Sequence, residues 1–295
     1  DIEPSILNYD DKINSDELNG SELILIPNNS GGIGSSAMSN SYASIFYSEN
    51  STESIFELQF DAFSENTAMA YYYGSAADGA HILASPLLAS EVFDQEEDYR
   101  KHDSFAQTGA ESGIFRIYKY VGANRSGNEY ANYSYLSELN VQAANWIFYR
   151  LSDVFLMKAE ALVELGGSDN LTEALELVNK LYERANPTAL PLMGVNYSTQ
   201  EQMHDLVLQE RQREFLFEGK RWFDLLRVAR REGKSRDMVN KYIVPNAILN
   251  SDVILTKLSV MDALYLPIHK DELLSNTELT QNPYYVDSDP LSNKK

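Results

Sequence analysis

Residues 210–227 read ERQREFLFEGKRWFDLLR, and they set charges and large aromatics against one another along one short stretch. A solvated helix tolerates many charges, but it does not interleave them with Phe215, Phe217, Trp222, Phe223, Leu225 and Leu226. That mixture predicts buried or half-buried ion pairs held against a core. Opposite charges stand three apart at Arg211/Glu214, Glu218/Arg221, Arg221/Asp224 and Asp224/Arg227, which is contact spacing on a helix. Glu210/Glu214 and Glu214/Glu218 are like-charged at a spacing of four, so these carboxylates need cations from other elements. Glu210, Arg211, Glu214, Glu218, Arg221, Asp224 and Arg227 are therefore expected to form a structural ion-pair network rather than a catalytic cluster.

The surrounding composition narrows the function classes. The chain has 295 residues, with 44 acidic against 24 basic side chains and a formal net charge of −20. Such a surface repels nucleic acid, anionic lipid and acidic polysaccharide, so no nucleic-acid partner is expected. Cysteine is absent, which removes disulfides, cysteine–zinc sites and thiol chemistry. No run of about 20 apolar residues is present, as a membrane-spanning helix requires. The chain begins at Asp1 without Met, and the expectation is a processed or trimmed piece.

Residues 1–20 are polar and weakly patterned, a tail or the remnant of an N-terminal part. Residues 21–145 form a region of loops and short strands. Within it, SELILIPN (21–28) reads as a strand and NNSGGIGSSAMSNS (28–41) as a flexible loop. SIFELQF (54–60) and GIFRIYKYVG (113–122) alternate as strands do. Residues 61–82 read as a Tyr-, Ala- and Gly-rich loop, 86–101 as one short helix, and 123–144 as a polar loop.

Residues 146–235 are helical. From Tyr149 to Leu165, the stripe Val154, Met157, Ala161 and Leu165 predicts the buried face. Gly166-Gly167 stops that helix, and Ser168 or Asp169 is expected to cap the next. There Leu171, Leu175, Val178 and Leu181 form a stripe that ends at Asn186-Pro187. The two helices make a hairpin that resembles a degenerate tetratricopeptide unit. Ser198-x-x-Glu201 is a capping box for a third helix carrying Met203, Leu206 and Val207, and Gly219 marks a break. Residues 236–295 form a C-terminal wrap. Trp146 and Trp222 are expected in the core.

Several motifs are weak. Gly32-x-Gly34-x-x-Ala37 mimics a dinucleotide fingerprint, but AMSNSYAS is a poor helix start and no βαβ pattern follows. His81, His102, His204 and His269 show no i, i+4 pair and no HExxH, so no metal and no cofactor is expected. Asp94-x-Glu96-x-Asp98 lacks the glycine and distal glutamate of a calcium loop. No Gly-x-Ser-x-Gly elbow occurs, and no facing carboxylate pair stands out for glycoside hydrolysis. The best binding candidates are Tyr71, Tyr72 and Tyr73. Three consecutive tyrosines cannot all face one core, and aromatic rings stack on the apolar faces of sugars. Asn66 and His81 stand near them in sequence, and Tyr130, Tyr133 and Tyr135 form a second aromatic cluster.

Three segments, YRLSDVFLMKAEALVELG (149–166), residues 210–227, and ALYLPIHKDELLSNTELTQNPYY (263–285), together resemble the C-terminal part of the SusD/RagB family. SYASIFYSENSTESIFELQF, FDQEEDYRK and IYKYVG extend the resemblance over most of residues 42–285. Members are surface lipoproteins of Bacteroidetes. The resemblance implies a mainly α fold, with tetratricopeptide-like helical hairpins and an irregular loop and short-strand region that faces the glycan. It implies a non-catalytic subunit that binds an oligosaccharide or polysaccharide at the outer-membrane surface. Such a subunit delivers its ligand to a SusC-like TonB-dependent transporter. The resemblance implies a longer protein, and the expectation is that the family's N-terminal helices and lipid anchor lie outside this sequence, either trimmed away or carried by a separate chain. The rival reading is a helical scaffold without a ligand site of its own. An exposed aromatic arc favours the first reading, and tyrosines that are all buried favour the second.

Overall fold

The computed structural model describes residues 45–46, 50–61, 63–73, 81–107, 115–120, 144–247 and 249–286. The fold is mainly helical, and it divides into two compact units, Asp1–Gly219 and Lys220–Lys295. The expected strand at 21–28 and the Gly-rich loop at 28–41 lie outside the described residues, as do Tyr130, Tyr133 and Tyr135.

The first unit opens with short elements. Strand β1 (Ser54–Leu58) pairs antiparallel with β4 (Trp146–Arg150), setting Ser54 opposite Arg150 and Leu58 opposite Trp146. A bulge between them lets Phe56 meet Tyr149 while Glu57 meets Ile147. Strand β2 (Phe105–Gln107) pairs antiparallel with β3 (Phe115–Ile117). Both strands expected from alternation are thus present in shortened form.

Two expectations fail here. Residues 67–73 form helix α1 (Thr67–Tyr73) instead of a loop. Asn66 starts it, its side chain accepting from Met69 N at 3.1 Å. The single helix expected over 86–101 is two pieces, α2 (Leu88–Glu91) and α3 (Tyr99–Ser104). The break is chemical, because Asp98 caps α3 by accepting from Arg100 N at 2.9 Å.

Helices α4 (Leu151–Leu165) and α5 (Ser168–Ala185) then fold back on each other. Gly166 (φ 68°) and Gly167 (φ 88°) make this turn in a region that L side chains avoid. Gly167 occupies the N-cap, while Ser168 bonds Asp169 instead of the backbone, so neither expected residue caps α5. Helix α6 (Gln200–Glu214) packs on both, capped reciprocally by Thr199 and Gln202, one residue beyond the expected Ser198/Glu201 box.

The core of this layer joins Leu151, Phe155, Leu156, Ala159, Leu162 and Val163 of α4 to Ala174, Leu177, Val178 and Leu181 of α5. Met203, Leu206 and Val207 of α6 and then Phe215 complete it. Each fully buried Leu or Phe contributes about 1.5–3 kcal/mol. The buried face of α4 is not the expected stripe. Met157 and Leu165 are exposed, as is Ala161, and Val154 is only partly buried. Apolar residues occupy both faces of α4, so periodicity alone selected the outer one.

The second unit contains α7 (Arg221–Glu232), α8 (Ser235–Tyr242), α9 (Ser251–Leu258), α10 (Lys270–Ser275) and α11 (Pro283–Val286). Helix α7 packs on α8 and on the turn Met261–Leu264, with Leu225, Val228, Ala229, Met238, Val239 and Leu264 buried. Trp222 is half-buried and donates from Nε1 to Leu264 O at 3.0 Å. Phe223 is 60% exposed, contrary to the expectation that the aromatics of 210–227 face a core.

Candidate functional site

The charges of 210–218 meet their partners inside the first unit. Glu214 is fully buried. Its Oε1 accepts from Arg150 Nη1 and Arg184 Nη2, both at 2.6 Å, and its Oε2 from Arg100 Nη1 at 3.2 Å. Glu218 accepts from Lys119 Nζ at 2.6 Å and Arg150 Nη2 at 2.9 Å. Glu210 accepts from Arg100 at 2.5 Å and Arg213 at 2.9 Å. Asp98 holds Arg100 at 2.7 Å, and Glu53 holds Arg184 at 2.5 Å. Among the described residues, five cations (Arg100, Lys119, Arg150, Arg184, Arg213) thus face five anions (Glu53, Asp98, Glu210, Glu214, Glu218), all buried. This balance is what a low-dielectric interior requires.

The interleaved aromatics have a place in the same network. The Arg150 guanidinium lies 4.8 Å from the ring of Phe215 and 5.4 Å from that of Phe46, and Lys119 Nζ lies 4.5 Å from Phe46. Arg211 reaches Asp153 at 3.0 Å. The remaining expected members lie in the second unit. There Asp224 bonds Arg227 at 3.0 Å, and Arg221 lies over the ring of Tyr242.

Electrostatics follow from this geometry. Burial alone would push the Glu214 carboxyl up, but Arg184, Arg150 and Arg100 outweigh it and hold it well below the usual carboxylate range. Glu218 is lowered in the same way by Arg150 and Lys119. Burial pulls Arg100 down, yet Asp98, Glu210 and Glu214 leave it well above the ordinary arginine value. Burial pushes Lys119 down to about 8 against the pull of Glu218. A carboxylate held this low and shut off from solvent does not donate a proton to a substrate near pH 7.

Sequence reasoning missed Arg100, Lys119, Arg150 and Arg184 as the cations. A usable signal was present in DYRK, IYKY, FYRL and YERA, where a cation stands beside an aromatic or apolar residue.

The tyrosine cluster is split by its helix. Turning about 100° per residue, α1 points Tyr71 and Tyr72 outward, at 55% and 44% exposure, and Tyr73 inward. The ring of His81 stacks on Tyr71 at 4.0 Å between centroids, and Tyr72 meets Tyr71 edge-on at 5.1 Å. Backbone bonds from His81 N to Tyr71 O and from Ile82 N to Tyr72 O hold that segment against the helix. Tyr73 stacks on Tyr120, which stacks on Trp146, and both tyrosine hydroxyls donate to Phe217 O at 3.4 and 3.1 Å. Burial raises the pKa of Tyr73. Asn66 is also turned inward, donating to Ala144 O at 2.9 Å while it starts α1. The structure therefore gathers Tyr71, Tyr72 and His81 on one face and commits Asn66 and Tyr73 to the interior.

Among the described residues no group of three or more His, Asp or Glu side chains is placed to hold a metal ion. No helix among them is long and apolar enough to cross a membrane.

Comparison with known proteins identifies this arrangement. The SusD family profile matches residues 90–285. SusD-like protein P38 of Formosa agariphila is 30% identical over 228 residues, covering 75% of this chain and 38% of that protein. A SusD superfamily protein from Bacteroides vulgatus is 25% identical with a TM-score of 0.53, covering 80% of this chain and 47% of that one. Surface glycan-binding protein A from Bacteroides uniformis has the same fold at 22% identity. Its TM-score is 0.58, and the match covers 96% of this chain and 56% of that one. The chain thus spans well under two thirds of the length of the relatives it matches. Most of the 90–285 match consists of the short helices, hairpin and charged segment whose packing is described above, and on that ground the chain belongs to the SusD family.

Proposed function

We propose that this chain binds a neutral oligosaccharide at the cell surface, without cleaving it, and presents it to a SusC-like TonB-dependent outer-membrane transporter. The observation that carries the binding step is the exposed pair Tyr71 and Tyr72, with His81 backing one face of Tyr71. A ring backed on one side keeps its other side for the apolar face of a pyranose, and the phenol hydroxyls bond sugar hydroxyls. Membership of the SusD family, and the fold shared with a surface glycan-binding protein, support the same reading. The net charge of −20 favours an uncharged ligand. Delivery to a transporter and residence on the outer membrane rest on the family alone.

Two stacked rings offset only part of the cost of ordering a flexible sugar, so affinity falls in the range of about micromolar to millimolar. Calorimetric titration with starch, xylan, mannan and β-glucan oligosaccharides tests the site. Tyr71→Ala and Tyr72→Ala should each weaken binding about tenfold or more with an unchanged melting temperature. Tyr73→Ala should instead lower the melting temperature. If a glycan bound by the parent is bound equally by the Tyr71 and Tyr72 variants, the site is not on this face. The segment carrying Tyr130 and Tyr133 becomes the next to test.

A further inference from the structure

The loop from Pro187 to Ser198, between α5 and α6, is built in an unusual way. Leu192 and Tyr197 pack inward against the helical core. Between and beside them, Leu190, Met193 and Val195 point outward at 84%, 60% and 76% exposure. The loop is not loose. Asn179 of α5 clamps the backbone of Leu192 from both sides, its Oδ1 accepting at 2.8 Å and its Nδ2 donating at 3.0 Å. Backbone bonds from Ala189 N to Asn186 O, Asn196 N to Met193 O and Tyr197 N to Gly194 O fix the rest. Gly194 lies so close to α5 that a Cβ there would touch Leu175 at 3.6 Å. The protein thus spends backbone order on holding three large apolar side chains in water, which a solubility requirement alone opposes.

Acidic residues stand beside this loop. Glu176 and Glu183 stand three before and four after Asn179 on α5, so they share its face. Glu97 joins through Thr188, whose hydroxyl donates to it at 3.2 Å. All three are exposed, and none makes an ion pair with another described residue. Lys180, the cation between them in sequence, turns toward Phe155 on α4, 5.5 Å from its ring.

We propose that Leu190, Met193 and Val195 are a docking prong for a partner protein whose surface offers an apolar pocket rimmed by lysine or arginine. The acidic residues decide among occupants. A second copy of this chain would bring its own acidic residues against the first, and an anionic lipid surface would meet the same repulsion. A basic-rimmed pocket gains from both features at once. Three side chains supply the anchor of such a contact, not its whole area. The inference is independent of glycan binding, since the prong and the Tyr71–Tyr72 face use different residues.

Photocrosslinking in the native host tests it, with p-benzoylphenylalanine in place of Leu190, Met193 or Val195. The same probe in place of Gln209, exposed on α6, serves as the control position. The prong positions should give an adduct with another polypeptide, and the crosslinked peptide should carry apolar residues beside Lys or Arg. Glu176→Lys with Glu183→Lys should cut the yield about tenfold, equivalent to 1.4 kcal/mol, without changing the thermal melt. Leu190→Asp with Val195→Asp, also on exposed positions, should abolish the complex in the otherwise unmodified protein. Adducts with lipid or with a second copy overturn the proposal. So do yields no greater than at position 209, or yields indifferent to the charge reversal.

Discussion

Replacing Glu214 by alanine should unfold much of the first unit's margin of stability. The carboxylate receives three guanidinium groups, two of them at 2.6 Å, and no solvent reaches it. Its removal leaves five buried cations facing four anions, and Arg150 and Arg184 lose their shared acceptor. Breaking a buried pair from one side costs about 3–5 kcal/mol, against a total of about 5–15 kcal/mol for a domain. For a unit of roughly 150–250 residues, that corresponds to a fall of about 6–20 °C in melting temperature. Glu214→Gln keeps the shape and one acceptor and should fall between the parent and Glu214→Ala. The assay is urea unfolding followed by circular dichroism at several pH values. Because the folded carboxyl is held below its ordinary value, its contribution is present above about pH 4.3 and is lost as pH falls below that. The parent's advantage over Glu214→Gln should therefore be full at pH 6 and shrink by pH 3. Soluble Glu214→Ala protein that melts within a degree of the parent, or an advantage that does not change with pH, would refute the network as a source of stability.

Lys119 gives a second signature, at the alkaline end of the range. Its ammonium is lowered to about 8, so between pH 8 and the ordinary lysine value the unfolded chain holds more protons. Stability should rise as the pH climbs from about 8 toward the ordinary lysine value, and Lys119→Met should lose that rise in the same urea titration. At the start of α6, Thr199→Ala should cost about 1 kcal/mol in thermal unfolding, while Ser198→Ala, one residue earlier, should be neutral. Equal losses for the two would mean that the sequence box, not the observed one, caps the helix.

Some of this fold was legible in the chain and some was not, for definite reasons. The Gly166-Gly167 turn, the stop at Asn186-Pro187 and the break at Gly219 were readable because glycine and proline act locally. The short strands at 54–58 and 115–117 showed through their alternation. The face of α4 did not, because Ser152 and Asp153 go inward while Met157 and Leu165 stay outside, inverting the usual rule. Helix α1 was missed although Asn66 caps it locally, and only the bond from Asn66 to Ala144 O lies beyond local reading. The glutamates of 210–218 announced that they needed cations, but Arg100 and Arg150 lie 114 and 64 residues from Glu214, beyond any local pattern. For the proposed binding face, the tyrosines themselves drew attention, while the split between Tyr71 and Tyr73 required knowing that the segment is helical.

The order of the network's members along the chain has a consequence for how this protein is made. Glu53, Asp98, Arg100, Lys119, Arg150 and Arg184 all precede Glu210, Arg213, Glu214 and Glu218 in synthesis. A chain leaving the ribosome carries Arg150 and Arg184 for a long interval before their shared acceptor exists. Arg184 already has Glu53 as a partner, but both of the carboxylates given above for Arg150, Glu214 and Glu218, are still to come, and burying that guanidinium without them costs several kcal/mol. The α4–α5 hairpin, whose contacts are local, can form at once, but closure of the unit over its charged centre must wait for residue 218. The acidic stretch 210–218 thus acts as a late-arriving keystone, because the charged centre gains its full set of acceptors only when the last of these glutamates has been made.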